Sequence, residues 1–157
     1  PLFNRATQAQ YRPGSIFKIA QSLTALQLGA ITKETRIACN RGLIGCHGNH
    51  SMDDLEMAIV HSCNPYFRGV LQRVVEGNRN PNNRFKDAQL GLALWREQML
   101  KFGFGTNLNT DIPGVKKGLV PSPEYYDRAY GKEQWNFSTI YQTKHLSCMS
   151  WYGRFIR

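Results

Sequence analysis

The sequence predicts an α+β fold in which helices dominate and the sheet is under-represented. Three observations carry that reading. Four segments show helical spacing or helix-start signals, opening near Ser15, Ser51, Pro65 and Phe85. Residues 35–50, TRIACNRGLIGCHGNH, are short and glycine-rich, which suits a loop or a small hairpin. Past residue 102, Gly103, Gly105, Pro113, Gly114, Gly118, Pro121 and Pro123 break the chain into turns.

Each element follows in order. Residues 1–14 read as extended or loop structure closed by Pro13-Gly14. From Ser15 a helix is expected, with Ile16, Ile19, Ala20, Leu23, Leu26 and Leu28 as its apolar stripe and Gly29 as its stop. Ser51 followed by Asp54 resembles a capping box and opens a short helix to about Val60. Pro65 suits a first helical position, and that helix is expected to reach Glu76. GNRNPNNR, residues 77–84, is a polar loop without apolar anchors. Residues 85–102 carry a helical pattern of Leu90, Leu92, Leu94, Met99 and Phe102. The remaining aromatic segment is poorly periodic.

Composition excludes several classes. The chain has 157 residues, 41% of them hydrophobic, with 3 Trp, 7 Tyr and 8 Phe, which argues against disorder. No run approaches the ~20 apolar residues of a membrane span, and no charged-then-apolar targeting signal opens the chain. The net charge of +9 invites a nucleic-acid reading, yet Lys and Arg are scattered, and Lys116-Lys117 is the densest basic step. A solvated basic surface is expected, and no nucleic-acid partner. Pro1 at the start is consistent with a piece of a longer polypeptide.

Chemistry enters with Ser15-Ile16-Phe17-Lys18, an S-x-x-K at a helix start. A spacing of three puts both side chains on one helical face. A serine hydroxyl needs a base to become a nucleophile, and a desolvated lysine of lowered pKa can serve. Orphan N–H groups at the helix N-terminus add donors for an oxyanion. Ser62-Cys63-Asn64, starting 47 residues beyond Ser15, then fits S-x-N. S-x-x-K followed by S-x-N belongs to the signature set of penicillin-binding proteins and serine β-lactamases.

Longer stretches extend the match. LFNRAT…YRPGSIFKI and CHGNH…AIVHSCNPYF resemble the active-site helix entry and second motif of class B penicillin-binding proteins. FGFGTNLNTDIPG and GLVPSPEYYDRAYGKEQWNFSTIY resemble connecting segments of their elongation (rod-shape) type, penicillin-binding protein 2. The resemblance covers residues 2–141, so residues 1–141 read as a partial transpeptidase domain and 142–157 as a divergent tail. It implies the helix-rich central part of a penicillin-binding/serine β-lactamase-like transpeptidase fold, with the antiparallel sheet incomplete. It also implies a D,D-transpeptidase acting on peptidoglycan stem peptides and acylated by β-lactams. Ser15 would be the nucleophile, Lys18 its base, Ser62 a proton relay and Asn64 the group that holds substrate or lysine. The parent would be anchored in the bacterial inner membrane, face the periplasm and work with the cell-wall elongation machinery; the anchor is absent from this chain. No cofactor is required for that chemistry.

One departure bears on activity. No Lys-Thr-Gly or Lys-Ser-Gly occurs in the 157 residues. In the family that motif lies on a strand lining the cleft, which also supplies the second oxyanion donor, and losing one such donor costs ~10²–10³ in rate. A gene fragment or shifted frame is expected, with little or no transpeptidase activity from this chain alone. Two rivals stay open: a serine β-lactamase or D,D-carboxypeptidase, and a non-catalytic penicillin-sensing or scaffold domain.

Cys39, Cys46 and Cys63 fall near the second motif beside His47, His50 and His61. Three readings compete: a Cys39–Cys46 disulfide, a zinc site of Cys39, Cys46, Cys63 and one of His47 or His50, or buried free thiols. The resemblance favours structural zinc, with His47 taken as the fourth ligand. Cys148 has no assigned role. Asp53-Asp54 reads as acids at a helix N-terminus. A Ser62–His61 pair is discounted because adjacent residues rarely face each other. Tyr125, Tyr126, Tyr130 and Trp135 read as packing.

Overall fold

The computed structural model describes residue 7 and residues 13–107 and 109–142. Cys148 and all of the tail but Gln142 lie outside the described residues. A 3-10 turn, Gly14–Ile16, leads into α1, Phe17–Gln27. The helix stops where expected: Gly29 takes φ 66°, its N–H bonds Leu26 O and the N–H of Ala30 bonds Ala25 O. These bonds satisfy two carbonyls of the last turn, and glycine suits the left-handed position that closes them.

β1 (Ile37–Ala38) and β2 (Met52–Asp53) pair antiparallel, with Ile37 opposite Asp53 and Ala38 opposite Met52. The segment between them carries the cysteine loop. α2 (Leu55–Val60) follows, capped by the Asp54 carboxylate, which accepts from the Met57 N–H at 3.0 Å. Ser51 is therefore not the cap; it lies before β2, and its carbonyl accepts from Cys39 N–H at 2.8 Å. α3 (Asn64–Val75) has Pro65 in its first turn, as expected. α4 (Arg84–Lys101) is capped by the Asn83 side chain, which accepts from Phe85 and Lys86 N–H at 3.0 Å each.

The core lies where α1, α3 and α4 pack on one another. Tyr66, Phe67, Val70 and Val74 of α3 meet Ala88, Leu92, Trp95 and Met99 of α4, all fully buried. Phe17 of α1 meets the Trp95 ring edge-on at 6.5 Å. The polar loop ahead of α4 has an anchor after all, although not an apolar one. The buried Asp87 carboxylate accepts from the N–H groups of Arg79 at 2.7 Å, Asn78 at 3.0 Å and Asn80 at 3.4 Å.

Three further expectations fail locally. The apolar stripe of α1 is largely its exposed face: Ile16, Ile19 and Leu23 are 77%, 49% and 49% exposed. The face turned inward carries Phe17, Lys18, Gln21, Ser22, Thr24 and Ala25. Polar groups are tolerated there where partners meet them: Gln21 Nε2 donates to Phe67 O at 2.8 Å and Ser22 Oγ to Lys18 O at 2.8 Å. Leu90 of α4 and Phe102 just beyond its end point outward, while Trp95 and Gly91 face the core. Beyond the turns come two unexpected helices, α5 (Pro123–Tyr130) and α6 (Phe137–Gln142). Pro123 opens α5 behind a Ser122 cap that accepts from Tyr125 N–H at 3.3 Å, so it starts a helix rather than breaking one. The aromatic residues pack as expected, with Tyr126 and Trp135 fully buried and their rings 5.1 Å apart. The architecture is α+β and helix-rich, with a two-stranded antiparallel sheet among the described residues.

Candidate active site

Two elements far apart in sequence build the site. Ser15 lies exposed in the 3-10 turn, and Lys18 follows in the first turn of α1, only 5% exposed. The Lys18 ammonium donates to the Ser62 carbonyl at 2.6 Å, to Ser62 Oγ at 2.8 Å and to Asn64 Oδ1 at 2.8 Å. Ser62 Oγ in turn donates to Ser15 Oγ at 3.0 Å. The four residues expected from the two motifs thus form one continuous hydrogen-bonded set. Burial pulls the Lys18 amine down to about 8, against a smaller opposing pull from the Cys46 and Cys63 sulfurs.

Local backbone explains how Ser62 gets there. It is the residue that closes α2, with φ 50°; its N–H bonds Ile59 O, and the N–H of Cys63 bonds Ala58 O. This is the same closure that Gly29 makes after α1, but with a side chain in the left-handed region at a cost of about 1–2 kcal/mol. Glycine there would relieve the strain and lose the hydroxyl. Asn64 is oriented by a partner the sequence did not reveal, because its Nδ2 donates to the Gly45 carbonyl at 2.8 Å. That bond leaves Oδ1 facing Lys18. The Gln21 bond to the Phe67 carbonyl then ties α1 to α3 one turn beyond Lys18.

Behind the S-x-N segment, the donor atoms of Cys39, Cys46, His50 and Cys63 lie within 4.8 Å of one another. His50, not His47, is the histidine of this group. His47 sits exposed at the loop tip and offers Cys46 only its carbonyl, at 3.5 Å. His50 is held inward by a stack on the His61 ring, 4.4 Å away, and by the Asp53 carboxylate at 3.5 Å, with Nε2 3.5 Å from Cys46 Sγ. Asp53 is 2% exposed and also lies 3.2 Å from His61 Nδ1. His61 therefore pairs with an acid rather than with Ser62, and of the Asp53-Asp54 pair only Asp54 caps the helix. Burial pushes the Cys39 and Cys63 thiols up.

The donor set suits a soft-to-borderline divalent metal. Tetrahedral zinc with Zn–S near 2.3 Å needs donors about 3.8 Å apart, a closure of about 1 Å at most from the separations present. The buried Nδ1 of His50 has no hydrogen-bond partner among the described residues. Gly45 and Asp53 make site contacts that the sequence reading did not assign. His50 had a signal, since it stood as an alternative; a backbone carbonyl such as that of Gly45 leaves none.

Comparison with known proteins gives the family. The model of the family described as penicillin binding protein transpeptidase domain matches residues 1–155. A relative from Acinetobacter baumannii, peptidoglycan D,D-transpeptidase MrdA, is 29% identical over 146 residues, 86% of this chain and 19% of the relative. The protein of the same name from Salmonella typhimurium is 27% identical over 150 residues, 89% of this chain and 22% of the relative. The chain thus spans about a fifth of the length of the curated relatives it matches.

Proposed function

The chain belongs to the penicillin binding protein transpeptidase domain family, and from that premise we propose that it carries the acylating half-site of a peptidoglycan D,D-transpeptidase. One observation carries the proposal: the path Lys18 Nζ–Ser62 Oγ–Ser15 Oγ, with steps of 2.8 and 3.0 Å, which links a buried amine to an exposed hydroxyl. Ser15 Oγ attacks the carbonyl of a D-Ala-D-Ala stem peptide, or the strained amide of a β-lactam. Its proton passes through Ser62 to neutral Lys18, which later returns it to the leaving amine. With the amine at about 8, roughly one Lys18 in ten is neutral at pH 7, enough for a base of this kind. Asn64 holds Lys18 and is itself held by Gly45, so both acceptors are set before substrate arrives. The parent is proposed to sit in the bacterial inner membrane, face the periplasm and act with the cell-wall elongation machinery. No helix among the described residues is long and apolar enough to cross a membrane.

Intact mass spectrometry with penicillin tests the nucleophile. A Lys-Thr-Gly strand is missing from the sequence, so labelling by this chain is expected to be slow, ~10²–10³-fold below a site with both oxyanion donors. An adduct is expected to build up over hours at high antibiotic concentration, to map to Ser15 and to vanish in Ser15→Ala. An adduct that survives in Ser15→Ala removes the assignment. Stoichiometric labelling within minutes shows instead that the missing strand is dispensable.

Structural zinc at Cys39, Cys46, His50 and Cys63 belongs to the same proposal. The metal would brace the segment on either side of Cys63, where Ser62 and Asn64 stand, and it takes no part in acyl transfer. The reduced chain is expected to bind one equivalent of zinc in competition with a chromophoric chelator, and His50→Ala to lose it while His47→Ala keeps it. Equal binding in the two variants, or undiminished binding in Cys63→Ser, removes the site.

A further inference from the structure

The same sulfurs offer a second chemistry. Three thiols meet within 4.8 Å, yet they are not equally reachable: Cys39 and Cys46 are half-buried, whereas Cys63 is wholly buried. We infer that Cys39 and Cys46 are a thiol–disulfide site, closed by a low-molecular-weight disulfide when the cluster holds no metal, and that this bond and a bound metal exclude one another. The inference stands on the placement of the thiols; only its second clause rests on the zinc reading.

The placement favours this pair over the other two. Cys39 is fixed at the end of β1 by its N–H bond to Ser51 O at 2.8 Å. Cys46 lies in the glycine-flanked loop between the strands, in a neighbourhood of exposed residues, so an oxidant reaches it and the loop can bring it the remaining distance. Cys63 is pinned at the start of α3, where its N–H bonds Ala58 O at 2.9 Å and its carbonyl accepts from Phe67 N–H at 3.3 Å. An S–S bond needs Cβ atoms about 3.5–4.5 Å apart, and the loop residue adapts to that more readily than the helix cap.

The step balances. Cys46 sulfur attacks the oxidant RS–SR, one S–S bond breaks, RSH leaves, and a mixed disulfide forms on Cys46. Cys39 sulfur attacks the Cys46 sulfur of that mixed disulfide and displaces the second RSH. Two electrons pass from the protein thiols to the oxidant, and both thiol protons end on the two RSH molecules. Closure removes two of the four metal donors, leaving Cys63 and His50, too few for a tetrahedral site. It also acts on the active site, since Cys46 follows Gly45, whose carbonyl orients Asn64.

The test uses the full 157-residue chain, stripped of metal and incubated with glutathione disulfide. Thiol counting on the denatured chain is expected to fall from four to two. Peptide mapping should link Cys39 to Cys46, and dithiothreitol should reverse both changes. Cys39→Ser is expected to stop at a glutathione adduct on Cys46, and Cys148→Ser to leave the link intact. Zinc at ~100 times its Kd should slow closure by ~100-fold, and the oxidised chain should bind no zinc until reduced. A link to Cys63 or Cys148, or a mixed disulfide that never closes, overturns the inference. Equal zinc binding before and after oxidation overturns the exclusion. A reduced chain that binds no zinc defeats the metal reading and the exclusion together, while the mapped link still decides the disulfide.

Discussion

Replacing Lys18 by alanine is expected to lower the rate of Ser15 acylation by ~10²–10⁴-fold, the usual contribution of a positioned base. The amine is the hub of the site, donating at 2.6, 2.8 and 2.8 Å to two atoms of Ser62 and to Asn64. Without it Ser62 has no base to pass a proton to, and three acceptors lose their shared donor. Lys18→Met serves as the companion variant, because it keeps most of the buried stem while removing the amine. Both should lose the penicillin adduct by mass spectrometry while their melting curves stay cooperative.

The parent chain also predicts the pH profile. Desolvation lowers Lys18 to about 8, and the base is its neutral form, so acylation should rise with pH and level off above that value. Below it the rate should climb about tenfold per pH unit. A flat profile from pH 6 to 10, or a midpoint near that of an ordinary lysine, would sink Lys18 as the base. So would a Lys18→Met chain that acylates at the parent rate.

Gly91→Ala is expected to produce the largest loss of stability from a single methyl group. Gly91 lies mid-α4, where a Cβ would stand 2.2 Å from Val75 O and 2.6 Å from Val74 O, both backbone atoms of α3. A side-chain tip could swing aside; the last-turn carbonyls of α3 move only if the helix does. Overpacking of this kind costs about 3 kcal/mol, against about 1 kcal/mol gained from alanine's helix propensity. The net loss of about 2 kcal/mol should lower Tm by about 4–8 °C in a chain of this size. Gly118→Ala is the control: its Cβ would meet nothing closer than 3.7 Å, and the change should stay within about 0.5 kcal/mol. A Gly91→Ala protein that melts at or above the parent temperature would show that α3 and α4 do not approach as described.

Much of the local structure was legible because its causes are local. Pro65 and Gly29 mark helix ends through backbone conformations that need no distant partner. The inward face of α1 was misread for the opposite reason. Apolar spacing chose Ile16, Ile19 and Leu23, but burial followed Lys18 and Gln21, whose partners lie 44–46 residues away. α5 was missed because Pro123 reads equally as a breaker and as a first helical residue, and only the Ser122 cap decides between them.

The two motifs and the longer segments around them were enough to determine the family, the Ser15–Lys18 spacing and the thiols available to a metal. Those depend on residue identity and on the fixed rise of a helix. Tertiary packing alone decided that Ser62 bridges Ser15 and Lys18, that Gly45 orients Asn64 and that His50 displaces His47. Each of those outcomes turns on where a loop carbonyl, a ring or a strained φ comes to rest once α1 packs on α3. That is a matter of a few ångströms between segments distant in the chain, and no pattern along the chain encodes it.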